Sequence, residues 1–393
     1  VRLYHFFDGK DEARIFSEEI ETLQLRKVNL DEIAILVRVS HQMRAFEDRL
    51  IEMGLPYRVV GGPRFYERAE IRDANAYLRI IAQSQDNLAF ERILNKPRRG
   101  LGKVSLGKLH GVAREEYCAL MDASEIAIKK KILSPQANKS LVAFLQNIEE
   151  WKQMADKTAL SELCEAVLKQ SGYIDMWKQD KAPDAPGKID NLYELIRSMN
   201  DFENLQSYLE HISLVLDIEQ QDNHKGKVSL MTLHAAKGLE FEYVFLPGWE
   251  GGIFPHQRAL EENGDAALEE ERRLAYVGIT RAKKRASLSF AGSRQIHGQW
   301  SPQLPSQFID ELPKPHIAIM SQVKREAPKP YQSATADIKA NTYSKRSKYH
   351  KGDLVRHHKF GTGRIEHVEG KSLTIMFENI GRKKIIDNFV QKA

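Results

Sequence analysis

The 393-residue chain is 42% apolar and 29% charged, the balance of a globular protein in water, with length for about two to four domains. No run approaches about eighteen uninterrupted apolar residues and VRLYHFFDGK is not built as a signal peptide, which predicts a cytoplasmic protein with no membrane partner. Cys118 and Cys164 cannot by themselves make a disulfide framework or a zinc site, and a net charge of +5 allows a polyanionic partner.

In chain order, Glu32 to Val39 (EIAILVRV) reads as a buried strand. Met43, Phe46, Leu50 and Met53 then recur at helical spacing, and Gly54 supplies a stop. Tyr57 to Val60 reads as a second strand, and Ala69 to Ile81 as a helix with Ile71, Ala74, Leu78 and Ile81 on one face. Strand–helix alternation of this kind predicts an α/β domain with a mostly parallel sheet. From about Gly102 to Gln221 the pattern is helical only, and at Lys227 strands return. The simplest reading is a helical block inserted into one α/β domain.

Val228 to Phe241 (VSLMTLHAAKGLEF) reads as a strand running into a polar, glycine-punctuated loop, the kind of strand exit where α/β sheets bind ligands. Glu269 to Lys284 (EEERRLAYVGITRAKK) is a charged helix, bent at Gly278, followed by a strand from Ala286 to Ala291 and a hairpin tip at Ser293–Trp300. Pro313 to Lys348 lacks periodicity and reads as a flexible linker. Asp353 to Ile386 shows short alternating runs broken by glycines, the pattern of a small antiparallel barrel. From Tyr343 onward twelve Lys/Arg stand against five Asp/Glu, so this module is basic.

Two motif matches fail on context. Gly102–Lys108 fits GxxxxGK, but Leu109 stands where Ser or Thr must bind Mg²⁺, and Pro97-Arg98-Arg99 precedes it instead of a strand. Phe308-Ile309-Asp310-Glu311 has too few apolar residues before it for an acidic metal-binding strand and reads as a helix end. The polar residues left are Thr232, His234, Lys237, Gly238 and Glu240 in the loop, and Arg272, Arg273, Thr280, Arg281, Lys283 and Lys284 on the charged helix. Arg281, at a helix end, could project as arginines do in phosphoryl transfer; a solvated helix with pairs such as Glu269–Arg273 is the plain alternative.

The series AILVRVSHQMRAFEDRL, GLPYRVVGGPRFYERAEIRDANAYLRII, NKPRRGLG, VSLMTLHAAKGLEF, VFLPGWEGGIFP and EEERRLAYVGITRAKK resembles the C-terminal motifs of the UvrD/PcrA/Rep helicases of superfamily 1, in order and spacing. KGDLVRHHKFGTGRIEHVEG is similar to the Tudor-like barrel that ends many of them. The resemblance implies a RecA-like domain 2A (1–97 and 226–312) interrupted by the helical insertion 2B (98–225), then a linker (313–347) and an SH3/Tudor-like barrel (348–393). It also implies an ATP-dependent 3′-to-5′ DNA helicase of DNA repair using ATP with Mg²⁺. The family's Walker A loop and DExx strand are missing from this sequence, as is the usual first methionine, so a cut before Val1 is expected and the chain alone is expected to be inactive.

By position, the resemblance makes Arg281 an arginine finger, Glu240 an acceptor for the nucleotide ribose, and Gly238 a close approach to phosphates. Thr232 and His234 are implied to contact the tracking single strand. Arg64 and Phe65 would meet DNA by charge and base stacking, with packing under the next helix an equal alternative for Phe65. Arg98, Arg99, Gly100 and Gly102 match the turn that grips duplex DNA, with Leu101 replacing the usual Ile. His297 stands where relatives have an aromatic strand-separating pin, and Trp300 either compensates or anchors the hairpin. Implied partners are single-stranded and duplex DNA, RNA polymerase through the barrel, and other DNA repair proteins. A non-enzymatic DNA- or RNA-polymerase-binding module is the rival reading, and a nuclease-fused helicase of the RecB or AddA kind a weaker one.

Overall fold

A computed structural model describes residues 1–218, 226–296, 299–321, 350, 352–357, 361–369, 372–377, 381–386 and 390–392. They form two compact units, Val1–Gln322 and Val323–Ala393. No helix among the described residues is long and apolar enough to cross a membrane.

The first unit is built on seven parallel strands: β1 (Arg2–Phe6), β2 (Ile33–Val37), β3 (Tyr57–Val60), β4 (Val228–Thr232), β5 (Phe241–Leu246), β6 (Ala282–Ala291) and, after the hairpin of β7 (Ser293–Ile296) and β8 (Gln299–Pro302), β9 (Ala318–Ser321). Their order is β3-β4-β2-β5-β6-β1-β9, and every pairing is parallel. β2 lies inside the sheet and is buried at all five residues (IAILV), as an unbroken apolar run in a parallel sheet requires. The helix Met43–Glu52 ends where Gly54 turns to φ +65° and donates to the Ile51 carbonyl.

Two elements escaped the sequence reading at the start: β1 and the helix Gly9–Leu25, whose N-cap Asp8 accepts from Lys10 N at 2.9 Å and Asp11 N at 2.8 Å. β9 and the turn before it occupy residues expected to be linker, so the sheet takes one more strand there.

Among the described residues, nine helices separate β3 from β4, yet these two strands are neighbours with Tyr57 opposite Val228. The helical block is therefore the crossover between adjacent strands. Its core already includes Phe65 and the helices Ala69–Ala82 and Asn87–Leu94, so by packing it begins well before residue 98. Arg44 Nε to Glu194 Oε1 at 2.7 Å and Arg68 Nη2 to Ser40 O at 3.2 Å fasten it to the sheet side. Gly102–Lys108 lies at the start of the helix Lys103–Glu115, not in a phosphate loop.

The second unit is a five-stranded antiparallel sheet of β10 (Leu354–His357), β11 (Gly361–Glu369), β12 (Ser372–Phe377), β13 (Gly381–Ile386) and β14 (Val390–Lys392), ordered β13-β12-β11-β10-β14. The last strand pairs with the first, as in a sheet curling on itself, but among the described residues no pairing joins β13 to β14. Val355, Ile365, Leu373, Ile375 and Phe377 fill its core. Gly363 is required there, because a Cβ would stand 2.7 Å from both Ile375 and Phe377.

Candidate functional site

The loop between β4 and β5 crosses the depth of the sheet. Thr232, the last residue of β4, pairs with Val37 at the end of β2, whereas Tyr243 near the start of β5 pairs with Ile33 at the beginning of β2. Residues 233–240 thus run from the carboxyl edge to the amino edge, and the loop read as one strand exit has two ends. Thr232 and His234 lie at the first. Thr232 Oγ1 accepts from Ala235 N at 3.3 Å, which starts the turn. Gly238 and Glu240 lie toward the second. Gly238 has φ +87°, and a Cβ there would meet nothing within 4 Å. The glycine serves the backbone and leaves open space above it.

Arg281 caps the helix Gln257–Thr280 at this second end. Its main-chain oxygen accepts from Phe241 N at 2.9 Å, while its guanidinium donates to Val277 O at 3.0 Å, Leu239 O at 3.0 Å and Thr280 Oγ1 at 3.1 Å. All three acceptors are neutral, and among the described residues no carboxylate pairs with it. A guanidinium has five N–H donors, so one on each terminal nitrogen remains for a further acceptor. Glu240, 57% exposed at its side chain, sits between the two residues tied to Arg281 and has Lys283 Nζ at 3.7 Å.

Gly278 brings the helix end this close. The helix is not bent there; its non-helical residue is Gly264, with φ 54°. At Gly278 a Cβ would stand 2.6 Å from Leu233 Cδ2 and 3.0 Å from Leu246 Cδ2, so only glycine lets the last turns press onto the sheet. A cleft of about 630 Å³ runs between loop and helix, lined in part by His234, Lys237, Glu270, Arg273 and Tyr276. The helix's ion pairs fall at i,i+3, Glu269–Arg272 and Glu270–Arg273, not at the expected Glu269–Arg273. Arg272 also holds Glu311 by two bonds of 2.8 and 3.1 Å, which explains the acidic end of the short helix Gln307–Asp310.

One functional-looking pair was missed in the sequence. Arg38, just after β2, grips the buried Glu271 with Nε at 2.8 Å from Oε2 and Nη2 at 2.5 Å from Oε1. Glu271 shares the inward helix face with Leu274, Ala275 and Gly278. A carboxylate on that apolar face was the available signal for a buried counter-charge. Desolvation, then the nearby positive Arg38, hold His234 below the ordinary imidazole pKa, so its ring favours the neutral form.

Of the predicted site residues His234 lines this cleft, and those outside the loop and Arg281 lie elsewhere in the chain. Phe65 is fully buried in the helical core, and its N–H donates to Glu47 at 3.1 and 3.2 Å. It offers no ring face to a base, so packing is its role in this structure. Arg64 lies over the Tyr57 ring at 4.7 Å. Arg98 is exposed, Gly100 adopts φ +75°, and Gly102 is the N-cap of Lys103–Glu115. Arg99 turns inward: its guanidinium donates to Ile93 O at 2.8 Å, Lys96 O at 3.0 Å and Tyr77 Oη at 2.6 Å. His297 lies outside the described residues. Trp300 is 58% exposed beside Phe7 and is no core anchor. The hairpin is fastened by Arg294, which bonds Glu12 Oε2 at 2.7 Å and Glu250 Oε2 at 2.6 Å.

Residues 1–293 match the family model described as UvrD-like helicase C-terminal domain. The chain is 41% identical over 327 residues to a "Probable DNA helicase II homolog" of Rickettsia conorii, covering 83% of this chain and 50% of the relative. It is 37% identical over 402 aligned positions to "DNA helicase II" of Escherichia coli, covering 98% and 55%, respectively. To "ATP-dependent DNA helicase PcrA" of Staphylococcus epidermidis it is 32% identical over 410 positions, covering 99% and 55%. The chain spans about half the length of the curated relatives it matches. With three quarters of its residues inside one family model, the chain belongs to the UvrD-like helicase C-terminal family.

Proposed function

We propose that this chain is the C-terminal half of an ATP-dependent 3′-to-5′ DNA helicase acting in DNA repair, and that it supplies the arginine finger and the DNA-tracking surface. The parallel sheet with its flanking helices is the RecA-like domain 2A, and the helical crossover is 2B. The antiparallel unit is Tudor-like by resemblance and serves RNA polymerase or DNA as partner. ATP with Mg²⁺, held mainly by another part of the protein, supplies the free energy. One observation carries the reading. Arg281 presents unspent donors and, among the described residues, no counter-carboxylate beside a glycine loop with open space, which suits a phosphate oxygen arriving from outside the chain.

In this mechanism Arg281 donates to the γ-phosphate and offsets the charge that develops during transfer. Glu240 accepts from the ribose hydroxyl, and Gly238 lets main-chain N–H groups approach. The loop 233–240 joins these residues to Thr232 and His234 at the opposite sheet edge, so movement at the nucleotide is passed to the strand-contacting end. A neutral His234 donates or accepts without attracting a counter-ion.

Unwinding by the complete protein tests the proposal. Duplexes with a 3′ single-stranded tail should open in the presence of ATP and Mg²⁺, and those with a 5′ tail should not. Opening from the 5′ tail alone, or without ATP, would refute it.

A further inference from the structure

The turn after the helix Asn87–Leu94 is held from beneath by one guanidinium. Arg99 Nη1 donates to the carbonyls of Ile93 and Lys96, at the end of that helix, and Nη2 to Ser171 O at 3.3 Å, at the end of the helix Leu160–Gln170. A cation there satisfies orphan carbonyls of two helices and faces the negative end of both dipoles. Its carbon lies 4.6 Å from the centre of the Phe144 ring, so the group is clamped on its face as well. Asn95 Oδ1 accepts from Arg99 N at 2.8 Å and Leu101 N at 3.2 Å, fixing the backbone on either side of Gly100.

A buried carboxylate completes the frame. Asp73, 1% exposed, accepts from Lys96 Nζ at 2.9 Å and Tyr173 Oη at 2.9 Å, and pairs with Arg92 Nε at 2.6 Å. Lys96 belongs to the first turn and Tyr173 follows the second, at Ser171–Gly172. Tyr77 links the two systems, donating to Lys96 O and accepting from Arg99 Nη2. The contacts close a ring through Asp73, Lys96, Tyr77, Arg99, Ser171 and Tyr173. Arg98, next to Arg99 in the chain, belongs to none of it and points its charge to solvent.

We propose that Arg99 and Asp73 are positioning residues that lock the Gly100–Gly102 turn and the Ser171–Gly172 turn into one rigid element, so that the first turn meets duplex phosphates already shaped for them. The inference rests on the reading of Gly100–Gly102 as a duplex-gripping turn. Arg98 supplies charge to that contact and Arg99 supplies its shape. A pre-shaped contact avoids the ordering cost that a mobile turn would pay on binding.

Charge and shape separate in a salt series. Duplex affinity of the 393-residue chain is measured from about 50 to 200 mM salt, well below the melting temperature. Arg98→Ala should reduce the salt slope by about one unit, the mark of a lost phosphate contact. Arg99→Lys keeps the charge and loses the fork; affinity should fall by about tenfold at every salt concentration with the slope unchanged. Tyr77→Phe, which removes one hydroxyl and keeps the ring, should shift affinity the same way by less and guards against a variant that does not fold. A slope reduced by one in Arg99→Lys would make it a phosphate contact and overturn the proposal. So would unchanged affinity accompanied by a lower melting temperature in both Arg99→Lys and Tyr77→Phe. If Arg98→Ala also leaves binding untouched, the duplex reading of the turn fails and the inference with it.

Discussion

The guanidinium of Arg281 donates to the main-chain oxygen of Leu239 at 3.0 Å, bridging the end of the charged helix and the loop that leads into β5. The contact lies at the surface, where water can take over either partner. Arg281→Ala should therefore cost less than about 1 kcal/mol of folding stability. Urea denaturation of the 393-residue chain measures it. A loss of several kcal/mol would mark Arg281 as a structural bolt.

Two glycines in the same site should fail for different reasons. Gly238→Ala places a side chain in open space but keeps φ near +87°, so about 1–2 kcal/mol of backbone strain is expected. Gly278→Ala has ordinary helical backbone but pushes a methyl to 2.6 Å from Leu233 Cδ2, an overpacking cost of about 1–3 kcal/mol. Only the second should be partly rescued by Leu233→Ala. Rescue of Gly238→Ala by that change would contradict the assignment.

Glu47 gives a pH dependence of defined sign. Burial pushes its carboxyl up to about 7 from an ordinary 4.5, against the opposing hydrogen bonds from Phe65 N and Tyr57 Oη. The folded chain therefore binds more protons than the unfolded chain between those values, and stability falls as pH rises through that window. Glu47→Gln removes the titration. Wild-type stability relative to the variant should drop by on the order of 1–3 kcal/mol between about pH 5 and 8. A difference that stays flat, or rises, would show that the carboxyl is ionised throughout.

Arg294 is the centre of a triad with Glu12 and Glu250, whose carboxylates are buried while the arginine side chain keeps 16% of its surface exposed. Burial pushes the Glu250 carboxyl up, and the guanidinium opposes that shift. Arg294→Met leaves two carboxylates facing one another, and about 3–5 kcal/mol of stability should go. Adding Glu250→Gln should return part of it. Independent, additive effects would mean the three side chains are not a unit.

The strongest sequence signals were those with a period. The run at β2, the helix over Met43–Glu52 with its Gly54 stop, and the strand Tyr57–Val60 appear where the pattern put them, because apolar spacing reports directly on burial. β1 and β9 were missed, being short strands beside polar neighbours. β9 is only four residues long, sits just after the turn Lys314–His316, and joins the sheet through β1. The site residues were legible as motifs, but their directions were not. Arg99 looks like a surface ligand in sequence and Phe65 reads equally as ligand or core; the packed helices show Phe65 as core and Arg99 turned onto carbonyls. The Arg38–Glu271 pair joins positions more than two hundred residues apart, which no local pattern encodes.

The central claim is that Arg281 acts on the nucleotide from across a cleft. Single-turnover ATP hydrolysis by the complete protein, with DNA bound, tests it in the wild type and in Arg281→Ala, with DNA affinity measured in parallel. The account predicts a rate lower by roughly a thousandfold or more, with DNA affinity nearly kept. Hydrolysis at the wild-type rate, or a loss of DNA binding that matches the loss of turnover, would contradict it.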